Sequence, residues 1–171
     1  STNVACASSL PVPDSVDLSI SDSSASLGDI ASVEISALNE DSIAGFQFTL
    51  SLSDDLGSVI SLEATDRTQG FNLSTNNVIV IGFSLTGDVI APGNGPIVIA
   101  NIQTTSSGET DVCLSNAILS DPEGLAMPYE STCGSLLVTE GPVSGCTDSN
   151  SCNYNAQATL DDGSCEYESC A

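Results

Sequence analysis

The strongest constraint on this chain is a two-residue hydrophobic rhythm that is interrupted, over and over, by turn formers. In GFQFTLSL, Phe46, Phe48, Leu50 and Leu52 alternate with Gln47, Thr49 and Ser51. Successive side chains of an extended strand point to opposite faces, so this pattern gives one apolar and one wet face. VDLSI repeats it with Val16, Leu18 and Ile20, and SVEISA with Val33, Ile35 and Ala37. SVISLEA (58–64), IVIANIQ (97–103), DVCLSN (111–116) and SLLVTE (135–140) read as further strands. VIVIGFSL (78–85) is apolar on both faces, as in a central strand or one covered by a second surface. Between these runs lie SLGD, NEDS, SDDLG, TGD, PGNGP, SSGET and DPEG, which supply the Gly, Pro, Asn and Asp that reversals need. No window carries helical periodicity. The expected fold is all-β, a two-sheet antiparallel sandwich over residues 16–140. An extended leader (1–15) precedes it, and a linker (141–145) separates it from a small disulfide-rich C-terminal module (146–171).

Charge narrows the function. Of 171 residues, 23 are acidic, and Arg67 is the sole basic side chain, giving a net charge of -22 with no Lys and no His. Such a chain has nothing with which to grip phosphate backbones, so nucleic-acid binding is not expected. It is also repelled by anionic membranes. No stretch approaches the roughly 18 apolar residues of a membrane span. Without His there is no ordinary base for a Ser or Cys nucleophile, and without Lys no Schiff base. Acids are too numerous for any pair to stand out as glycosidase carboxylates. The chain is read as a non-enzyme whose counter-charge is a metal ion.

The seven cysteines point to an oxidising compartment, and the chain reads as a mature secreted protein whose export signal has been removed. Cys113 and Cys133 flank DPEG on two late strands, where a hairpin would join them in a disulfide. The tail holds Cys146, Cys152, Cys165 and Cys170 in a C-x5-C-x12-C-x4-C spacing, which lacks the tight knuckle of a zinc site. Four cysteines admit three pairings. Among them lie Asp148, Asn150, Asn153, Asn155, Asp161 and Asp162, hard oxygen donors suited to Ca2+, although not in EF-hand spacing. The alternative is a disulfide knot with a solvated acidic face. Cys6, left over from an even count, is a candidate for a bond to another chain. Asn72-Leu73-Ser74 is a glycosylation sequon in a turn-rich stretch, where a surface loop is expected.

Two resemblances add to this. The Gly-Asp before the second strand, IAGFQFTLS, GFSLTG, LSNAILSDPEG and the final GSLLV together resemble the cohesin family and related carbohydrate-binding sandwiches over about residues 16–139. That resemblance implies a nine-stranded jelly roll. Cohesins commonly bind dockerins through one sheet face, but the sequence does not indicate which face would serve here, and the absence of Trp speaks against stacking on sugars. The tail, GCTDSNSCNYNAQATLDDGSCEY, resembles a short repeat at the ends of secreted surface proteins of aquatic bacteria. Many such repeats keep only the first and last cysteines, which implies Cys146 with Cys165 and leaves Cys152 for Cys170.

The expected function is therefore a structural subunit of an extracellular bacterial filament or surface assembly, stabilised by disulfides and Ca2+. It would self-associate through a leader whose Val4, Leu10 and Val12 fill a neighbour's sheet. The alternative is a cohesin-like module that binds a protein or glycan at the cell surface.

Overall fold

The computed structural model describes residues 13–53, 55–168 and 170. Cys6, Val4, Leu10 and Val12 lie outside the described residues. Alternation is realised where the sequence carries it. β1 (Val16–Ile20), β3 (Ile30–Asn39) and β4 (Gly45–Ser51) each bury every second residue. β5 (Gly57–Ala64), β7 (Ile79–Phe83), β8 (Gly93–Thr104), β9 (Gly108–Ser120) and β12 (Gly134–Thr139) complete the apolar set.

Short strands join them: β2 (Ser23–Ser26), β6 (Asn72–Asn76), β10 (Ala126–Met127) and β11 (Tyr129–Thr132). One sheet runs β11-β1-β3-β8-β5; the other runs β2-β12-β9-β4-β7-β6, with β10 on β9. Pairing is antiparallel except at two places, where β1 meets β11 and β2 meets β12 in parallel. The first and last runs of the sandwich each cross from one sheet to the other, which gives the two parallel seams. The tail adds a separate parallel pair, β13 (Ser144–Gly145) and β14 (Leu160–Asp161).

The core lies between the sheets. Leu18, Val33, Ile35, Phe48, Leu50, Ile97, Ile102 and Leu136 are almost fully buried. Burying one such side chain contributes roughly 1.5–3 kcal/mol. Phe46 stacks on Phe48 and on Phe71, with ring centroids 5.7 Å and 6.2 Å apart. Its ring lies against Gly82 of β7, where any Cβ would collide with it. Gly82 is therefore fixed by close packing across the paired strands β4 and β7.

Three strands depart from the sequence expectation. PGNGP reads as a turn, yet Gly93, Asn94, Gly95 and Pro96 begin β8 and pair with β3 across a register shift at Ile35/Ser36. NLSTN reads as loop, yet it forms β6. A two-residue reversal at Asn77 and Val78, with Asn77 at φ 60°, folds it onto β7. Asn accepts that left-handed conformation more readily than most residues. YEST carries no alternation and is recruited as β11 by β1.

Arg67 explains the order of the Gly-rich segment. Its guanidinium donates to the Ala37 carbonyl at 2.6 Å, Gly95 at 2.9 Å, Ala91 at 2.9 Å and the Asn39 Oδ1 at 2.6 Å. All four acceptors are neutral. Its side chain lies beside Gly95 and against Gly93, where a Cβ would crowd the guanidinium. Asn39, itself buried, passes the link on to the Asp41, Ile90 and Ala91 carbonyls. Beside it Thr65 donates to Pro96 O and Thr68 to Ile97 O. The single cation thus sews the β5–β6 loop to the ends of β3 and β8, and desolvation alone lowers its pKa. Arg67→Met leaves these acceptors short of donors and should destabilise the fold by about 3 kcal/mol. Arg67→Lys should restore only part of that, because one ammonium cannot span the fork. Urea-unfolding midpoints test both; an unchanged midpoint in Arg67→Met would contradict the clamp.

Candidate functional site

The outer face of the five-stranded sheet mixes a polar network with separately exposed Ile30, Leu38 and Ile60. Ser32 donates to Asn101, whose amide reaches Ser61 and Glu63 on the next strand, so the side chains pair with one another. The outer face of the second sheet differs. There β7 turns Ile79, Ile81 and Phe83 away from the core, while Val80 and Gly82 face inward. Ile81 stands opposite Gln47 of β4 and Ser74 of β6, and Gln47 stands opposite Ile118 of β9. Ile118 is 61% exposed and Phe83 42%. An apolar row of Ile79, Ile81 and Phe83 thus runs along β7, and Ile118 on β9 lies beyond the polar Gln47.

Ile118 reaches the outside through a bulge. Simple alternation from Cys113 and Ser115 would turn Ile118 inward. Asn116 adopts φ 52° and the pairing with β4 slips between Gln47 and Thr49, so Ile118 faces solvent and Leu119 fills the core. Bulges commonly re-aim a side chain in this way.

At one end of the row the β7–β8 connection presents Leu85, 80% exposed. Asp88 holds this turn: its Oδ2 accepts from the Thr86 and Ser84 hydroxyls, which keep the carboxyl below its ordinary pKa, the Thr86 bond contributing most. The same carboxylate packs on Gly70, whose φ of 89° and missing Cβ admit it. Ile79, Ile81, Phe83, Leu85 and Ile118 are an apolar surface on a hydrogen-bonded frame. Large apolar residues grouped on one exposed face mark an interaction site. The sequence signal was the two-faced apolarity of VIVIGFSL; the outward aim of Ile118 had none.

Among the sequence-derived residues, the structure joins Cys113 to Cys133, Cys146 to Cys165 and Cys152 to Cys170. The Cys113–Cys133 bridge does not close a hairpin around DPEG. That hairpin is β9–β10, pairing Ser120 with Ala126. Cys133 lies between β11 and β12, and pairing of Gly134 with Val112 brings it to β9. The bridge therefore pins the point where the chain crosses between sheets. Asn72 sits not in a loop but at the start of β6, exposed and opposite Phe83.

Five of the six tail residues expected as Ca2+ ligands hydrogen-bond through their side chains within the tail, and Asn150 contributes its backbone N–H. Asp148 accepts from Asn150 N at 2.9 Å and from the Tyr167 hydroxyl at 2.7 Å; these bonds, the first foremost, hold its carboxyl below the usual range, and Asp148 in turn raises the Tyr167 phenol. Asp162 accepts from Ser164 N, and the Ser164 side chain first and its backbone second hold the Asp162 carboxyl below its usual range. Asn155 and Asp161 cap Gln157 N and Gly163 N. Asn153 bridges Ser164 O and Glu166 N. Among the described residues no group of three or more His, Cys, Asp or Glu side chains is placed to hold a metal ion.

The bulge gives a direct test of the frame. Asn116→Gly should be tolerated within a few tenths of a kcal/mol, whereas Asn116→Val, disfavoured in the left-handed region, should cost about 1–2 kcal/mol. Equal thermal midpoints for the two variants would contradict it.

No family's sequence profile matches the chain, and neither does any curated protein sequence. Solved structures do resemble it. The OlpC cohesin of a type I cohesin–dockerin complex from Clostridium thermocellum superposes with a TM-score of 0.64 at 12% identity, over 78% of this chain and 99% of that one. The OlpA cohesin of a second such complex from the same organism gives 0.62 at 18%, over 73% and 99%. A non-cellulosomal cohesin from the archaeon Archaeoglobus fulgidus gives 0.61 at 17%, over 74% and 92%. The β-sandwich has the cohesin fold.

Proposed function

We propose that this chain is a non-enzymatic protein-interaction module of an extracellular bacterial assembly, and that it docks a partner protein on the outer face of β9, β4, β7 and β6. One observation carries the reading: β7 is apolar on both sides, and only one side is used by the core. Two of the similar structures come from complexes with a dockerin, which supports a protein as the partner. The partner's chemistry follows from charge. A net charge of -22 disfavours acidic surfaces, so the partner presents an apolar centre with a neutral or basic rim. The tail, tied by two disulfides and similar to repeats of secreted surface proteins, supports an extracellular location.

A second reading, the filament subunit, is favoured by the cysteine count. Three bridges use six of seven cysteines, which leaves Cys6 for a bond to another copy, with the leader entering its sheet. In either reading Ca2+ binds the tail's remaining carboxylate oxygens at the roughly 0.1–1 mM affinity of extracellular modules.

A photo-reactive amino acid at Gln47, on the protein displayed by its native cells, separates these. The expected outcome is a covalent adduct with one other protein, abolished by Ile81→Asp with the fold intact. An adduct with a second copy would select the filament; no adduct at all would overturn docking through this face. The same samples in a calcium chelator should show a tail that melts earlier, and a tail indifferent to chelation would remove the ion.

A further inference from the structure

Beyond that docking reading, and at the β6 edge of the same face, we infer that Asn72 carries an N-linked glycan whose first sugar lies over the Phe83 ring. Three observations meet at this point. Asn72 and Ser74, the first and third residues of the only Asn-x-Ser/Thr sequon in the chain, are both exposed on the outer face of β6. Neither the Asn72 amide nor the Ser74 hydroxyl is engaged in a hydrogen bond of the described residues, unlike the asparagines at 39, 101 and 153. Phe83 is the residue directly opposite Asn72 on β7, and its ring is nearly half exposed. Side chains directly opposite on adjacent antiparallel strands have Cβ atoms about 4.5–5.5 Å apart, so a sugar on the Asn72 nitrogen emerges beside the ring.

The far flank of Phe83 is open as well. Its other cross-strand neighbour is Gly45, which places no side chain between the ring and Ser120. The row Asn72–Phe83–Gly45–Ser120 is therefore an aromatic platform with a polar end, and that is the shape on which the C–H face of a pyranose packs. A neutral sugar is also an occupant that this molecule admits without electrostatic cost on a surface of net charge -22. Ile79, Ile81 and Ile118, farther along β7 and on β9, stay uncovered.

The transfer needs an isoprenoid-diphosphate-linked oligosaccharide as donor. The Asn72 Nδ2 attacks the anomeric carbon, an N–C bond forms as the C–O bond to diphosphate breaks, and the amide proton is lost to base. The Ser74 hydroxyl, two residues on, is the sequon's recognition element.

The experiment is glycopeptide mass spectrometry and NMR of protein purified from its native cells. A saccharide should be found on the Asn72 peptide and lost in Ser74→Ala. Protons of its first sugar should be shifted upfield by the Phe83 ring, and Phe83→Leu should abolish the shift while leaving the saccharide attached. A bare Asn72 would overturn the inference, and so would an attached saccharide with unshifted protons. Crosslinking at Gln47 is read in a separate experiment, so failure of the glycan and failure of docking are distinguishable.

Discussion

Apolar burial between two sheets is the interaction on which everything else in this molecule depends, because electrostatics works against it. With 23 acids and one cation, charge pairing contributes almost nothing to cohesion, and the one cation is committed to neutral oxygens. Most of the acids lie in turns and in the tail, and Asp17 and Glu34 on β1 and β3 take outward positions while Leu18, Val33, Ile35 and Phe48 close the interior. Cystines appear where burial is thin. Cys113–Cys133 sits at the crossing between sheets, and Cys146–Cys165 and Cys152–Cys170 hold a tail too short to bury a core of its own.

The same logic exposes the functional face. A strand that packs one side inward normally turns polar residues outward, as β4 does with Gln47, Thr49 and Ser51. β7 does not, and the bulge at Asn116 adds Ile118 to the exposed apolar row. That arrangement brings no advantage to the isolated fold, since exposed apolar side chains are left in water. It makes sense as a surface completed by something else, and it is framed by a turn that Asp88 holds in place.

Much of the architecture was legible from residues alone. The apolar strands announce themselves because a half-buried strand must alternate, and their number and turn spacing imply a sandwich. The polar strands do not: β6 and β11 are extended because β7 and β1 offer them partners, which no local pattern records. PGNGP looks like a reversal, since its glycines and prolines suit one; only Arg67, distant in sequence, makes it the start of β8. The outward aim of Ile118 was hidden for a related reason, as a single left-handed Asn reverses every face assignment beyond it. In the tail, Asp148 and Asp162 accept from backbone N–H groups two residues on, contacts that composition alone does not reveal. The pairing of Cys113 with Cys133 could be expected, but its role at the sheet crossing could not.

Stability as a function of salt tests most directly whether burial and cystines, rather than charge pairing, hold this protein. Between about 10 mM and about 1 M sodium chloride the screening length falls from roughly 30 Å to roughly 3 Å. If the charges only repel, the thermal midpoint of the oxidised protein at pH 7 rises steadily across that range. A midpoint that falls as salt is added would mean that attractive ion pairs stabilise the fold, and would contradict the account.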